Sequence, residues 1–355
     1  MMPAPAHISV IDGAALLVRD GQAEAATSNI PLLEGDRLRA DAGRLEVLLP
    51  DGSALYLDQR TTVDLLSAAL MRLTDGRMIL VVSGRPDERP VLDYQIDAPA
   101  GSIHIVRPGE YRVSIVQGTR GPDVELAVVR GEATLDNEQD SVAVRAGEHA
   151  FASEGLAPSN PQPFNSARVD AFVRWSDDCR NALVGYASRQ YLPPEIQVYA
   201  GAFDRYGSWD TYQPYGDVWY PTVQADWRPY YDGFWRPLGY YGWTWIGNDP
   251  WSWPTHHYGR WGFGTRGWFW IPGRSWASAW VSWGLGSSYV SWCPLGWDNR
   301  PVFSLGVGIN TFGGRGYDPW YGWTAIPRHS FGEATRVAGV AVPRHLLGSL
   351  RGRFT

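Results

Sequence analysis

The stretch YYGWTWIGNDPWSW, residues 240–253, sets six aromatic rings in fourteen positions, four of them Trp, and a related phrase, GWFWIPG, returns at 267–273. Side chains two apart on a strand share a face, so the spacing pairs Trp243 with Trp245, Trp251 with Trp253, and Trp268 with Trp270 as strips of indole. Such strips either fill a small domain's core or form a platform on which a ligand lies. The surrounding sequence repeats: DGFWRPLGYYGWTWI at 232–246 is echoed by YGRWGFGTRGWFWI at 258–271. Gly233 maps on Gly259, Trp235 on Trp261, Trp243 on Trp268 and Trp245 on Trp270. Each unit reads as an aromatic β-hairpin of roughly 25 residues. A partial earlier copy is YGDVWYP, 215–221, and 18 of the 19 Trp fall between Trp209 and Trp323.

Upstream, residues 7–155 read as short strands. In RLEVLLPDGSALYLD the apolar Leu45, Val47 and Leu49 alternate, Asp51-Gly52 supplies a tight turn, and Leu55 and Leu57 resume the pattern. A second Asp-Gly turn, Asp75-Gly76, predicts another hairpin, and a third sets Tyr111, Val113 and Ile115 opposite Val124, Leu126 and Val128. Residues 156–194 form a linker and an amphipathic helix expected over 166–189, capped by Ser166, with Val169, Phe172, Val173, Cys179 and Leu183 near helical spacing. The expected fold is mainly β: a sandwich or barrel module over 7–155, one connecting helix, an aromatic β-hairpin domain over 195–330, and a tail, 331–355, that holds one Pro-Arg-His segment and follows another.

Composition narrows the function. A net charge of -6 and a pI near 5.7 supply no basic field for nucleic acid. Lys is absent, all 31 basic residues being Arg. Cys179 and Cys293 lie far apart without metal-ligand spacing and read as buried thiols. No apolar run approaches the eighteen or so residues that span a bilayer, and the first residues show no secretory signal.

The stretch PLLEGDRLRADAGRLEVLLPDGSALYLD, with YQIDAPAGSIHIVRPGEYRVSIV at 94–116, resembles the FecR-like module. YGDVWYP, WRPYYDGFW, GWTWI, HYGRW, GWFWIPG and PLGW then resemble the Trp/Tyr-rich domain of unknown function that follows FecR-like modules in many bacterial proteins. The resemblance implies a periplasmic or cell-envelope location and an interaction module. FecR-type regulators relay a signal by protein docking across a transmembrane helix, which this sequence does not show.

Within the aromatic half, glycan binding is the sharper reading: sugar C–H faces pack on indole while Asp and Arg bond the hydroxyls. The candidate platform is Trp243, Trp245, Trp268, Trp270, Trp235 and Trp261, with Arg260, Asp232 and Asp249 beside it, and the ligand a cell-wall glycan or peptidoglycan; the plainer alternative makes each Trp core. An envelope protein is the other candidate partner. No catalytic group, metal site or cofactor is indicated: 201–300 contains no Glu, His256 and His257 are neighbours expected to point apart on a strand, and GGRG at 313–316 lacks the strand-to-helix context of a phosphate loop.

Overall fold

Alternation of apolar and polar residues builds the N-terminal half. Leu45, Val47, Leu55, Leu57, Met78, Leu80, Tyr111, Val113 and Leu126 turn inward from one sheet, and Leu17, Leu38, Val63, Leu73, Ile96, Ile103 and Leu135 from another, all fully buried. Each such side chain removed from water stabilises the fold by about 1.5–3 kcal/mol. The computed structural model describes residues 3–167, 169–303, 320–332 and 334–350; the GGRG run lies outside them. The chain forms two units, Pro5–Asn181 and Ala182–Thr355 with Met1–Ala4.

In the first unit an eight-stranded sheet runs, in spatial order, His7–Asp12, Arg44–Leu48, Ala54–Leu57, Arg77–Val82, Gly109–Gln117, Pro122–Arg130, Glu148–Ala152 and Gln162–Pro163. The nine-stranded sheet runs Ser141–Arg145, Glu132–Asp136, Gly101–Ile105, Gln95–Ala98, Leu70–Asp75, Thr61–Leu65, Arg37–Ala40, Leu16–Arg19 and Gln22–Ala25. Two expected hairpins form: Leu45 pairs with Leu57 across Asp51-Gly52, and Tyr111, Val113 and Ile115 pair with Val128, Leu126 and Val124. The third does not. Leu70–Asp75 and Arg77–Val82 belong to different sheets, and the chain crosses between them at Gly76, which has φ +81° and where a Cβ would lie 2.6 Å from the Thr61 Cα. A tight turn feeds a hairpin only if its strands pair, and here each strand finds partners elsewhere.

The connecting helix is Ala171–Leu183, shorter than expected at both ends. Asp170, rather than Ser166, caps it, its carboxylate accepting the N–H groups of Phe172 (3.0 Å) and Val173 (2.9 Å). Phe172, Val173 and Cys179 are buried, and Trp175 meets Tyr56 edge-on at 6.1 Å. Val169 stays outside the helix and exposed. This helix covers part of the eight-stranded sheet's outer face, where the fully buried Glu46, cross-strand partner of Tyr56, has its carboxyl pushed up by burial.

The second unit repeats one device. Gly207–Tyr212 pairs with Gly216–Pro221, Gly233–Leu238 with Gly242–Gly247, Arg260–Gly264 with Gly267–Ile271, and Val281–Leu285 with Tyr289–Pro294. In every one of these hairpins two Trp face each other across the strands: Trp209 and Trp219, Trp235 and Trp245, Trp261 and Trp270, Trp283 and Trp292. A Gly two residues before the first Trp makes room for the partner indole in three of them. A Cβ on Gly207 would lie 2.4 Å from the Trp219 ring, on Gly233 2.6 Å from Trp245, and on Gly259 2.8 Å from Trp270. The first and third hairpins join in one four-stranded sheet through Trp219 and Trp270.

Trp251 and Trp253 do not lie on a strand. Pro250, which has no N–H for a ladder, precedes a short helix, Ser252–His257, every residue of which is buried. His256 Nε2 accepts the Tyr230 N–H at 3.2 Å, which leaves the ring proton on Nδ1, 3.1 Å from the Ser252 carbonyl. His257 Nδ1 donates to the Ala277 carbonyl at 2.9 Å. Burial holds these imidazoles down to about 3 and about 4, so both stay neutral.

Candidate functional site

Indole N–H groups need acceptors once they leave water, and the interior supplies backbone carbonyls to some of them, whereas the buried Nε1 atoms of Trp235, Trp245 and Trp268 have no acceptor among the described residues. Trp219 donates to Phe203 (3.1 Å), Trp261 to Thr255 (3.1 Å), Trp270 to Tyr258 (2.9 Å) and Trp292 to Tyr230 (2.9 Å). Of the six rings expected on a platform, Trp235, Trp245, Trp261, Trp268 and Trp270 are buried and Trp243 is 40% exposed. The shared-face pattern holds along the strand, but both faces of these hairpins are covered except at the Trp243 end. Five rings of the expected platform are therefore packed in the core, and only Trp243 presents a substantial part of its ring to solvent.

The polar candidates are engaged. Arg260 lies 3.3 Å from the Trp280 ring centroid and donates to Asn299 Oδ1 at 3.0 and 2.6 Å. Asp232 accepts from Arg336 at 2.9 Å and from the Asn248 amide at 2.7 Å. Asp249 accepts from Trp227 Nε1 at 3.2 Å, and burial, with Asp232 nearby, pushes its carboxyl up to about 6.

Two surface features among the described residues of this unit bear on a site. The first is an aromatic ledge in which Phe331 sits 4.3 Å from Trp243 and 5.7 Å from Trp283, itself 39% exposed. Its rings are tilted, at 49° and 86°, so they make a dented surface rather than a flat strip. Phe331 also reaches Trp235 and Trp292 beneath, which ties the ledge to the core. Gly332, at φ +92°, admits Trp243, whose ring a Cβ would meet at 2.5 Å. The second is a shallow recess of about 240 Å³ between Trp227, Tyr231, Asp226 and Asp232. Sequence reasoning missed Trp283 because its hairpin lacks the Gly that marks the other copies, and Phe331 because nothing local ties it to residues some ninety positions earlier.

The first unit holds a cavity of about 370 Å³ at the start of the helix. Its charges already have partners: Arg77 with Asp58 and Asp170, Arg112 with Glu110, and His149 with Glu125 at 2.7 Å. Among the described residues no helix is long and apolar enough to cross a membrane, and no group of three His, Cys, Asp or Glu could hold a metal ion.

Residues 36–134 match the family described as FecR protein, and residues 200–299 match the Family of unknown function (DUF6600). No curated protein matches the sequence. Two crystal structures of a candidate anti-sigma factor from Parabacteroides distasonis are similar to parts of this chain. The first is 12% identical with a TM-score of 0.30, covering 37% of this chain and 61% of its own. The second is 11% identical with a TM-score of 0.30, covering 45% and 70%.

Proposed function

For a chain that carries a FecR-like module followed by the Trp/Tyr-rich domain of unknown function, we propose a non-enzymatic regulatory role in the bacterial envelope, exercised by docking a protein partner. The observation that carries this reading is the ledge of Trp243, Phe331 and Trp283, in which two part-exposed indoles flank a half-buried phenyl ring and together form a dented apolar surface rather than single scattered rings. Leu285, 54% exposed on the Trp283 strand, adds to the apolar surface. The test is photo-crosslinking in cells, with a photoreactive residue in place of Trp243 or of Trp297, which is exposed outside the ledge. A discrete protein adduct from position 243 and none from 297 supports docking; equal labelling from both, or none from either, overturns it.

A second reading, glycan binding, is favoured by one observation. Trp243 presents its ring to solvent on the same hairpin that Asp232 precedes. Titration of the full chain with peptidoglycan fragments, followed by Trp emission, tests it. A saturable change retained by Trp243→Ala removes Trp243 from the site, and no change with any fragment removes the reading.

A further inference from the structure

The recess lined by Gln224, Asp226, Trp227, Tyr231, Asp232 and Ala338 was assigned by neither reading. We propose that it holds a single neutral sugar ring, such as the terminal residue of an envelope glycan. This rests on the ligand class of the glycan reading above, not on Trp243, and places the ligand at the other end of the hairpin Gly233–Leu238 and Gly242–Gly247, where Asp232 lies.

Four features converge. Trp227 is half-buried, packed on Trp261 at 5.4 Å, with its indole N–H fixed on Asp249, so it offers a rigid ring rather than a mobile one. Tyr231 lines the same recess, and the Arg228 guanidinium covers its ring at 3.8 Å. Arg228 is itself buried and donates to Thr324 Oγ1 at 2.8 Å, which locks the second ring in place. Acceptors for sugar hydroxyls stand beside the rings: Asp232, oriented by Arg336 and Asn248, and Asp226, whose carboxylate is exposed and held by no hydrogen bond among the described residues. Two fixed rings with two carboxylates and an amide match the amphipathic character of a pyranose, which has apolar C–H faces and a hydroxylated edge.

The same groups select the charge. Asp226 disfavours an anionic sugar, while the charge of Asp232 is offset by Arg336. An organic cation would suit the carboxylates, but Tyr231 already carries a guanidinium against its ring, which weakens its pull on a second cation. The volume, about 240 Å³, falls below that of sites for larger ligands and suits one ring.

The experiment titrates the full chain with N-acetylglucosamine trimer, maltotriose, glucuronate and choline, by calorimetry, in wild type, Asp226→Asn, Trp227→Phe and Trp243→Ala. Asp226 is exposed, so its isosteric amide leaves packing intact, and circular dichroism checks each fold. The expected result is saturable binding of a neutral sugar, weakened about tenfold by Asp226→Asn through loss of a charge-assisted hydrogen bond, weakened by Trp227→Phe, and unchanged by Trp243→Ala. Sugar binding lost in Trp243→Ala but kept in Asp226→Asn overturns the recess while the glycan reading survives. Absence of neutral-sugar binding in wild type, with or without choline binding, overturns both.

Discussion

Lowering the pH from 7.5 to 5 is expected to destabilise the Trp-rich unit by about 3 kcal/mol, a figure that follows from three buried groups. An unfolded chain protonates His256 and His257 near 6.5, whereas burial holds them to about 3 and about 4 in the fold. A second proton on His256 would also break the Tyr230 N–H bond that Nε2 accepts. Between pH 7.5 and 5 the unfolded state thus binds protons that the folded state refuses. The stability these residues contribute is complete above 6.5 and declines as pH falls, by about 2 kcal/mol each at pH 5. Asp249 acts with the opposite sign. Its carboxyl, ordinarily near 3.8, is pushed up to about 6, so the folded state takes up its proton first and recovers about 1 kcal/mol over the same interval. Urea denaturation of the full chain, followed by Trp emission, isolates this unit because 18 of 19 Trp fall between Trp209 and Trp323. Asp249→Asn removes the compensating term and should deepen the loss to about 4 kcal/mol. A stability that is flat or higher at pH 5 refutes the reasoning.

The division between core and surface rings is checked by two substitutions followed in the same way. Trp245→Ala should cost about 3–5 kcal/mol, whereas Trp243→Ala should cost about 1 kcal/mol or less; equal losses would contradict the assigned burial. Gly233→Ala drives a methyl toward the Trp245 ring and the Ile246 carbonyl and should cost about 1–3 kcal/mol, while Gly339→Ala, with open space around it, stays within about 0.5 kcal/mol. Burial pushes the thiols of Cys179 and Cys293 up to about 12, so a thiol reagent at pH 8 should titrate both only after denaturant is added. Glu46→Gln removes a carboxylate that has no access to water, and at pH 7.5 should raise the denaturation midpoint of the first unit, read by hydrogen exchange of residues 44–57.

Much of the architecture is local in origin, and for that reason it could be read along the chain. Alternation at Leu45, Val47, Leu55 and Leu57 specifies a hairpin because a two-residue period has only one inward face. The Gly-x-Trp phrases specify aromatic hairpins because each Gly and each Trp meets a partner within the same 25 or so residues. The first copy, Gly207-Ser208-Trp209, carried the same signal and stands 26 residues before Gly233-Phe234-Trp235. The Asp75-Gly76 turn misled because a turn's chemistry does not say which strands will pair, and the choice between sheets is made by residues far away.

By itself, the sequence determined the mainly β class, the change of character after the helix, and the hairpin as the unit of the aromatic half, since propensity, periodicity and turn residues act over short distances. It determined the chemistry available as well: indole, Asp and Arg, with little else. Which indoles remain in water was decided only by the tertiary structure. Trp243 and Trp245 share a strand and a spacing, yet one meets Phe331 at the surface and the other meets Tyr230, Trp235 and Trp292 inside. Burial is a property of what arrives from elsewhere in the chain, and no pattern within a hairpin encodes it.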